Sequence, residues 1–257
     1  MPKTQLDVYG RRPVLEAVRA GHAERVYIAR EARDAPVLRE IQDAARAAGV
    51  VVQTLPRAEF ERLLVNRNHQ GVAAAYHEHP YADLGDILAA AEGSGEPGLV
   101  LALDGVQDPG NVGSLLRSAE GAGVHGVVLP RHRAAGVTPA VVRASAGAAE
   151  HLAIAQEANL SRAIEGLKKS GYWSVGLSED ATARYDEFDA LRPLVVVVGG
   201  EGKGLTRLVQ EGCDYLVRLP MRGQVASLNA AVSGAVLLYE IRRQRDRGIG
   251  SRESGVG

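Results

Sequence analysis

The chain has 257 residues, 46% hydrophobic and 24% charged, with a net charge of −1 and one cysteine. That length and composition describe a globular chain able to bury a core, sized for one large domain or two ordinary ones. They exclude an intrachain disulfide framework, a helical membrane span, which needs an apolar run of roughly 18 residues, and any global attraction to nucleic acid.

Residues 6–78 alternate helix and strand signals. In GRRPVLEAVRAG, Val14, Leu15 and Val18 have helical spacing and Gly21 stops the run; RVYIAR then reads as a short strand. DAPVLREIQDAARAAG has an aspartate at the N-cap position, helical periodicity and a terminal glycine. VVVQTLP is a buried strand, RAEFERLL a short helix and QGVAAAYH another strand, which together predict a small α/β/α module. Residues 79–98 are dense in Gly, Ser, Pro and Glu and read as an interdomain linker interrupted by one short helix.

From Leu99 the rhythm becomes regular. LVLALD is a strand, Asn111 to Ala122 a helix, HGVVLP a strand, Thr138 to Ala149 a helix and LAIA a strand. NLSRAIEGLKKSG follows as a helix and YWSVGL as a strand. After an acidic loop come the strand LVVVV, a glycine loop, the helix LTRLVQEG, the strand YLVRLP and a long helix from about Val225 to Arg245. Short apolar strands alternating with helices predict a parallel sheet covered on both faces, over residues 99–246. The tail, 247–257, is polar and glycine-rich and is expected to be disordered. MPKTQLDVYGRRPVLEAV lacks the apolar core of a secretory signal, and the lone Cys213 suits a reducing compartment, so a cytoplasmic location is expected. Cys213 itself is given no role, and no metal site is expected.

Three stretches of the second block have an unusual composition for plain scaffold. In VVVVGGEGKGLT, a strand enters a glycine loop, as at phosphate sites. Yet Lys203 is followed by Gly204 rather than Ser or Thr, and Gly200, Gly202 and Gly204 do not have dinucleotide-loop spacing. Glu201 at its centre suits a ligand with positive charge or hydrogen-bond donors. LDGVQDPGNVGSLLRSAEGAGV places Val112, Leu115, Leu116, Ala119 and Ala122 on one helical arc, with Arg117 roughly opposite. LPMRGQVASLNAAVSGAVLLYEIRRQR carries Ser227 and Asn229 near a helix start, where such residues ordinarily cap.

Together DPGNVGSLLRSA, VVVVGGEGKGL and LPMRGQVASLNAAVSGA resemble the three ordered motifs of the SpoU/TrmH family of RNA ribose 2′-O-methyltransferases, in the SPOUT superfamily. The stretch VYGRRPVLEAV…RVYIA…HQGVAA resembles that family's substrate-binding domain, which is itself similar to ribosomal protein L30e. RASAGAAEHLAIA looks most like the RlmB-type enzymes, which methylate a guanosine ribose in the peptidyl-transferase loop of 23S rRNA, with a tRNA ribose or another rRNA site as the alternative. The resemblance covers about residues 6–246. It implies a trefoil-knotted methyltransferase domain, a homodimer with the active site near the subunit interface, an RNA substrate, and no DNA or membrane partner. It also implies S-adenosylmethionine held by Gly199, Gly200, Glu201, Leu219, Met221, Leu228 and Asn229. Asn111, Arg117, Glu201, Ser227 and Asn229 match the family's polar active-site positions, Arg117 its catalytic arginine. No motif position is missing, though Ala230 stands where family members often have valine. RNA contacts are expected from Arg11 and Arg12, and from Arg242, Arg243 and Arg245.

Overall fold

The computed structural model describes residues 6–32, 35–64 and 67–253. It divides into two compact units, residues 1–80 with 137–151, and residues 81–136 with 152–257.

The first unit contains β1 (Val8–Tyr9), α1 (Arg11–Arg19), β2 (Ala23–Ala29), α2 (Pro36–Ala47), β3 (Val51–Leu55), α3 (Arg57–Leu63) and β4 (Val72–Tyr76). Its sheet order is β1-β4-β2-β3, with β2 and β3 parallel and the β4 pairings antiparallel. The helix arcs read from sequence are buried: Val14, Leu15 and Val18 on α1, and Leu38 and Ile41 on α2. Pro36 opens α2 after Ala35, and the aspartate expected as its cap, Asp34, lies outside the described residues.

The second unit begins with α4 (Leu84–Gly93), inside the stretch expected to be a linker. Asp83 and Asp86 close a capping box at its start. Ile87 is fully buried against Val100, Ala102 and Val128, and it fills the space a side chain at Gly126 would need. Most of 81–98 is therefore packed domain rather than tether. There follow β5 (Leu99–Asp104), α5 (Pro109–Gly121) and β6 (Gly126–Pro130).

The predicted helix over 138–149 is broken, and this segment belongs to the first unit. α6 (Pro139–Ala144) ends before Ala146 and Gly147, both at positive φ, and a 3₁₀ turn spans Ala148–His151. A side chain at Gly147 would meet Glu16 Cβ at 2.7 Å, so close passage beside α1 requires glycine there.

The second unit resumes with β7 (Ala153–Glu157), α7 (Leu160–Lys169), β8 (Trp173–Leu177), β9 (Ala183–Arg184), β10 (Leu194–Gly199), α8 (Arg207–Gly212), β11 (Tyr215–Arg218) and α9 (Ala230–Glu253). Its seven-stranded sheet has the order β7-β6-β5-β10-β8-β11-β9, every pairing parallel. Both faces are covered, which is why its strands are continuous apolar runs. Val195 and Val197 pack with Leu160, Ile164 and Leu167 of α7. The alternate residue Val198 faces α9 at Gly234, where an added Cβ would lie 2.5 Å from Leu115 Cδ2 and 3.1 Å from Val198 Cγ2. The final helix starts five residues later than predicted and, on its backbone, runs through Glu253 rather than giving way to a disordered tail at 247. Residues 254–257 lie outside the described residues.

Candidate active site

The strand order reverses beside β5: β6 lies on one side of it, and β10 with the later strands on the other. Ligands in parallel sheets bind outside the carboxyl ends of strands at such a switch point. There β10 delivers the glycine loop. A side chain at Gly199 would lie 2.2 Å from the Gly204 carbonyl carbon, and one at Gly200 would lie 2.4 Å from the Gly105 carbonyl oxygen. Two backbone segments pass too close for any Cβ, and Gly202 and Gly204 add positive φ angles of 73° and 60°. The loop is tied down by Asp104 at the end of β5. Its carbonyl accepts from the Gly200 amide at 2.9 Å, and its carboxylate accepts from the Thr206 amide at 2.5 Å.

The three motifs meet in one polar triad. Asn111 Nδ2 donates to Glu201 Oε1 at 2.6 Å. Asn229 Nδ2 lies 2.9 Å from the same oxygen and 2.9 Å from Asn111 Oδ1. Each asparagine is fixed by its own helix as well. Asp108 caps α5 by accepting from the Asn111 amide at 2.8 Å, and Asn229 Oδ1 accepts from the Ala231 and Val232 amides at the start of α9. Asn229 is thus both the cap and a member of the triad.

A cleft of about 990 Å³ opens beside these groups. Gly199, Gly200, Glu201, Leu219, Met221, Ser227, Leu228 and Asn229 all line it. Residues 219–222 and 226–228 line it, and among the described residues the backbone N–H groups of this stretch (Pro220 has none) make no backbone–backbone hydrogen bond, which leaves main-chain groups there open to a ligand. Glu179 and Asp180, after β8, line the cleft together with Arg184, Lys203, Arg218 and Arg222, so its wall carries charge of both signs.

Arg117 is not brought to the cleft. It is exposed on α5, away from the buried arc of that helix, and its side chain has no hydrogen bond or ion pair among the described residues. In the first unit, Arg12 is exposed, and Arg11 Nε donates to the Gln70 carbonyl at 3.3 Å.

The expected arginine cluster on α9 is corrected at Arg242 and Arg245, while Arg243 stays exposed. Arg245 is 2% exposed and donates to the carbonyls of Pro97, Gly98, Ala190 and Arg192. Burial, then the charge of Arg242, pushes its guanidinium down to about 10, still charged near neutrality. Arg242 holds the Ala122 carbonyl and Glu96, and Arg243 pairs with Glu240. Burial and these carbonyl bonds make Arg245 and Arg242 packing residues, a role that composition does not distinguish from a solvated helix face. Sequence reading also passed over Asp104, whose signal was an acid closing an otherwise apolar strand, and the Glu179–Asp180 wall.

A model of the SpoU rRNA methylase family matches residues 98–239, which contain the sheet, the loop and the triad. The chain belongs to this family. A second model, of RNA 2′-O ribose methyltransferase substrate binding, matches residues 8–82 of the SpoU chain. An uncharacterized tRNA/rRNA methyltransferase of Mycolicibacterium vanbaalenii is 43% identical over 239 residues, 93% of this chain and 76% of its own. A Bacillus subtilis protein placed in the TrmH family of tRNA/rRNA methyltransferases is 38% identical over 207 residues, 80% of this chain and 83% of its own. Among solved structures, the SpoU methyltransferase AviRb of Streptomyces viridochromogenes, in complex with AdoMet, superposes with a TM-score of 0.77 at 29% identity. That match covers 93% of this chain and 90% of AviRb.

Proposed function

We propose that this SpoU-family chain uses S-adenosylmethionine to methylate a ribose 2′-hydroxyl of RNA, with a guanosine of 23S rRNA as the target. The observation that carries the reading is the triad of Asn111, Glu201 and Asn229, one residue from each motif, at the mouth of the glycine loop. The cleft suits this cofactor chemically. The cofactor has no phosphate but carries two cationic centres and a carboxylate, and the wall offers both signs of charge, Glu179, Asp180 and Glu201 beside Arg184, Lys203, Arg218 and Arg222. The backbone groups of 219–222 and 226–228 can read an adenine edge and a ribose, while Leu219, Met221 and Leu228 offer apolar contact.

When bound, the cofactor supplies an electrophilic methyl group and is left as a neutral thioether. A ribose hydroxyl is a poor nucleophile, so the work of the chain is alignment and charge stabilisation. Glu201 fixes the amides of Asn111 and Asn229, which leaves Ser227 and the asparagine faces to orient the ribose. Arg117 clamps the neighbouring phosphate and stabilises negative charge developing on the 2′-oxygen. It is not the base, because a guanidinium does not give up its proton in a protein. The proton leaves to phosphate or water.

Because Arg117 stands outside the cleft of its own chain, the reading includes a homodimer in which a second copy completes the site. An apolar stripe on α9 (Val232, Val236 and Tyr239, the last 53% exposed) supports such a pairing. Arg117→Ala is expected to abolish turnover and leave cofactor affinity nearly intact by calorimetry. Loss of cofactor binding in that variant would remove Arg117 from this role.

A further inference from the structure

The first unit holds a second group of chemically active side chains, sharing no residue with the cleft. His22 lies in the turn between α1 and β2, His79 just beyond β4, and Glu150 in the 3₁₀ turn Ala148–His151. Three separate segments bring their ligand atoms within 4.8 Å of one another. The Glu150 side chain is 0% exposed, and His79 is buried. His22 Nδ1 lies 2.5 Å from Glu150 Oε2, and the Tyr76 hydroxyl donates to Oε1 at 2.9 Å. The rings of His22 and His79 meet edge to face with centroids 5.7 Å apart.

A carboxylate removed from water costs several kcal/mol unless positive charge compensates it. Two imidazoles and one carboxylate are a donor set for zinc and its first-row neighbours. The set contains no thiolate, and it lacks the oxygen shell that calcium or magnesium requires. Tetrahedral donors around zinc stand a little over 3 Å apart, so closing the cluster needs side-chain shifts of only about 1 Å. Tyr76 is already the outer partner that orients the carboxylate, as metal-bound carboxylates usually have.

We propose that His22, His79 and Glu150 form a binding site for one divalent transition-metal ion of the zinc type, with a fourth position open to water. Such an ion fastens the 3₁₀ turn to the end of β4 and to the α1–β2 turn within the unit. The test uses the untagged full chain, stripped with a chelator and returned to chelator-free buffer. Zn²⁺ is titrated by calorimetry and Co²⁺ by visible absorption. The expected result is one equivalent per chain, a higher melting temperature with Zn²⁺, and Co²⁺ d–d bands of a low-coordinate nitrogen and oxygen site. His79→Ala and Glu150→Gln are each expected to weaken binding by roughly tenfold or more. His22→Ala, in a turn, is expected to do the same with an unchanged far-UV circular dichroism spectrum. No uptake by the wild-type chain, or undiminished uptake by folded His22→Ala, overturns the proposal.

Discussion

Asn229 does two jobs through two ends of one amide. Its oxygen caps α9, and its nitrogen lies against Glu201 and Asn111. Asn229→Asp keeps an oxygen for the helix amides but sets a second carboxylate beside Glu201. The helix cap is expected to be kept, with a modest fall in melting temperature from the like charges, while methyl transfer falls about 100-fold, as on losing an oriented donor at a reacting centre. Asn229→Ala is expected to lose both activity and about 1 kcal/mol of stability with the cap. Full activity in Asn229→Asp would show that the triad does not position the reacting groups. Cys213 makes a separate residue-scale prediction. Burial, then the charge of Asp214, pushes its thiol up to about 12. It is the single cysteine of the chain and only partly buried, so thiol labelling of the native protein at pH 8 is expected to be slow for want of thiolate and to speed up on unfolding. Rapid labelling of the native protein would contradict the packing around it. At this scale the sequence marked Asn111, Glu201 and Asn229 as a set because they sit in three recognisable motifs. It gave no way to see that Arg245 points at four carbonyls, since a buried and a solvated arginine occupy the same helical repeat.

The elements that depart from expectation do so where tertiary packing overrides local composition. Glycine, serine and proline density made 79–98 look like a tether, yet α4 between them buries Ile87 against the central strands. Ile87→Ala is expected to lower unfolding free energy by about 2–5 kcal/mol in denaturant titrations. A change below a few tenths of a kcal/mol would mean that α4 is a linker after all. The helix predicted over 138–149 fails at Gly147, whose backbone passes Glu16 too closely for a side chain. No local signal announces a neighbour that arrives from far away in sequence. α9 starts late because Asn229, not Val225, caps it, and the stretch before it stays open to line the cleft. The buried arc of α5, by contrast, was fully legible, since Val112, Leu115, Leu116 and Ala119 obey a helical period and are all inaccessible.

Across the whole molecule, alternating strand and helix signals were enough to read a parallel α/β domain preceded by a smaller module. Strand order was not readable: β10 inserts next to β5 although four strands, β6 to β9, lie between them in sequence. Nor was the reassignment of 137–151 to the first unit, which depends on contacts across the chain. The trefoil knot implied by the family resemblance has no signature in periodicity at all, because threading is a property of chain path. No helix among the described residues is long and apolar enough to cross a membrane. The central claim, methyl transfer to an RNA ribose, is tested most directly by product analysis. The full chain is incubated with methyl-labelled S-adenosylmethionine and either protein-free 23S rRNA or bulk tRNA, and the RNA is digested to nucleosides for mass spectrometry. Label is expected in 2′-O-methylguanosine from 23S rRNA and is lost with Asn229→Asp. Label on a nucleobase, or no label in either RNA from a chain that binds the cofactor, would contradict the claim.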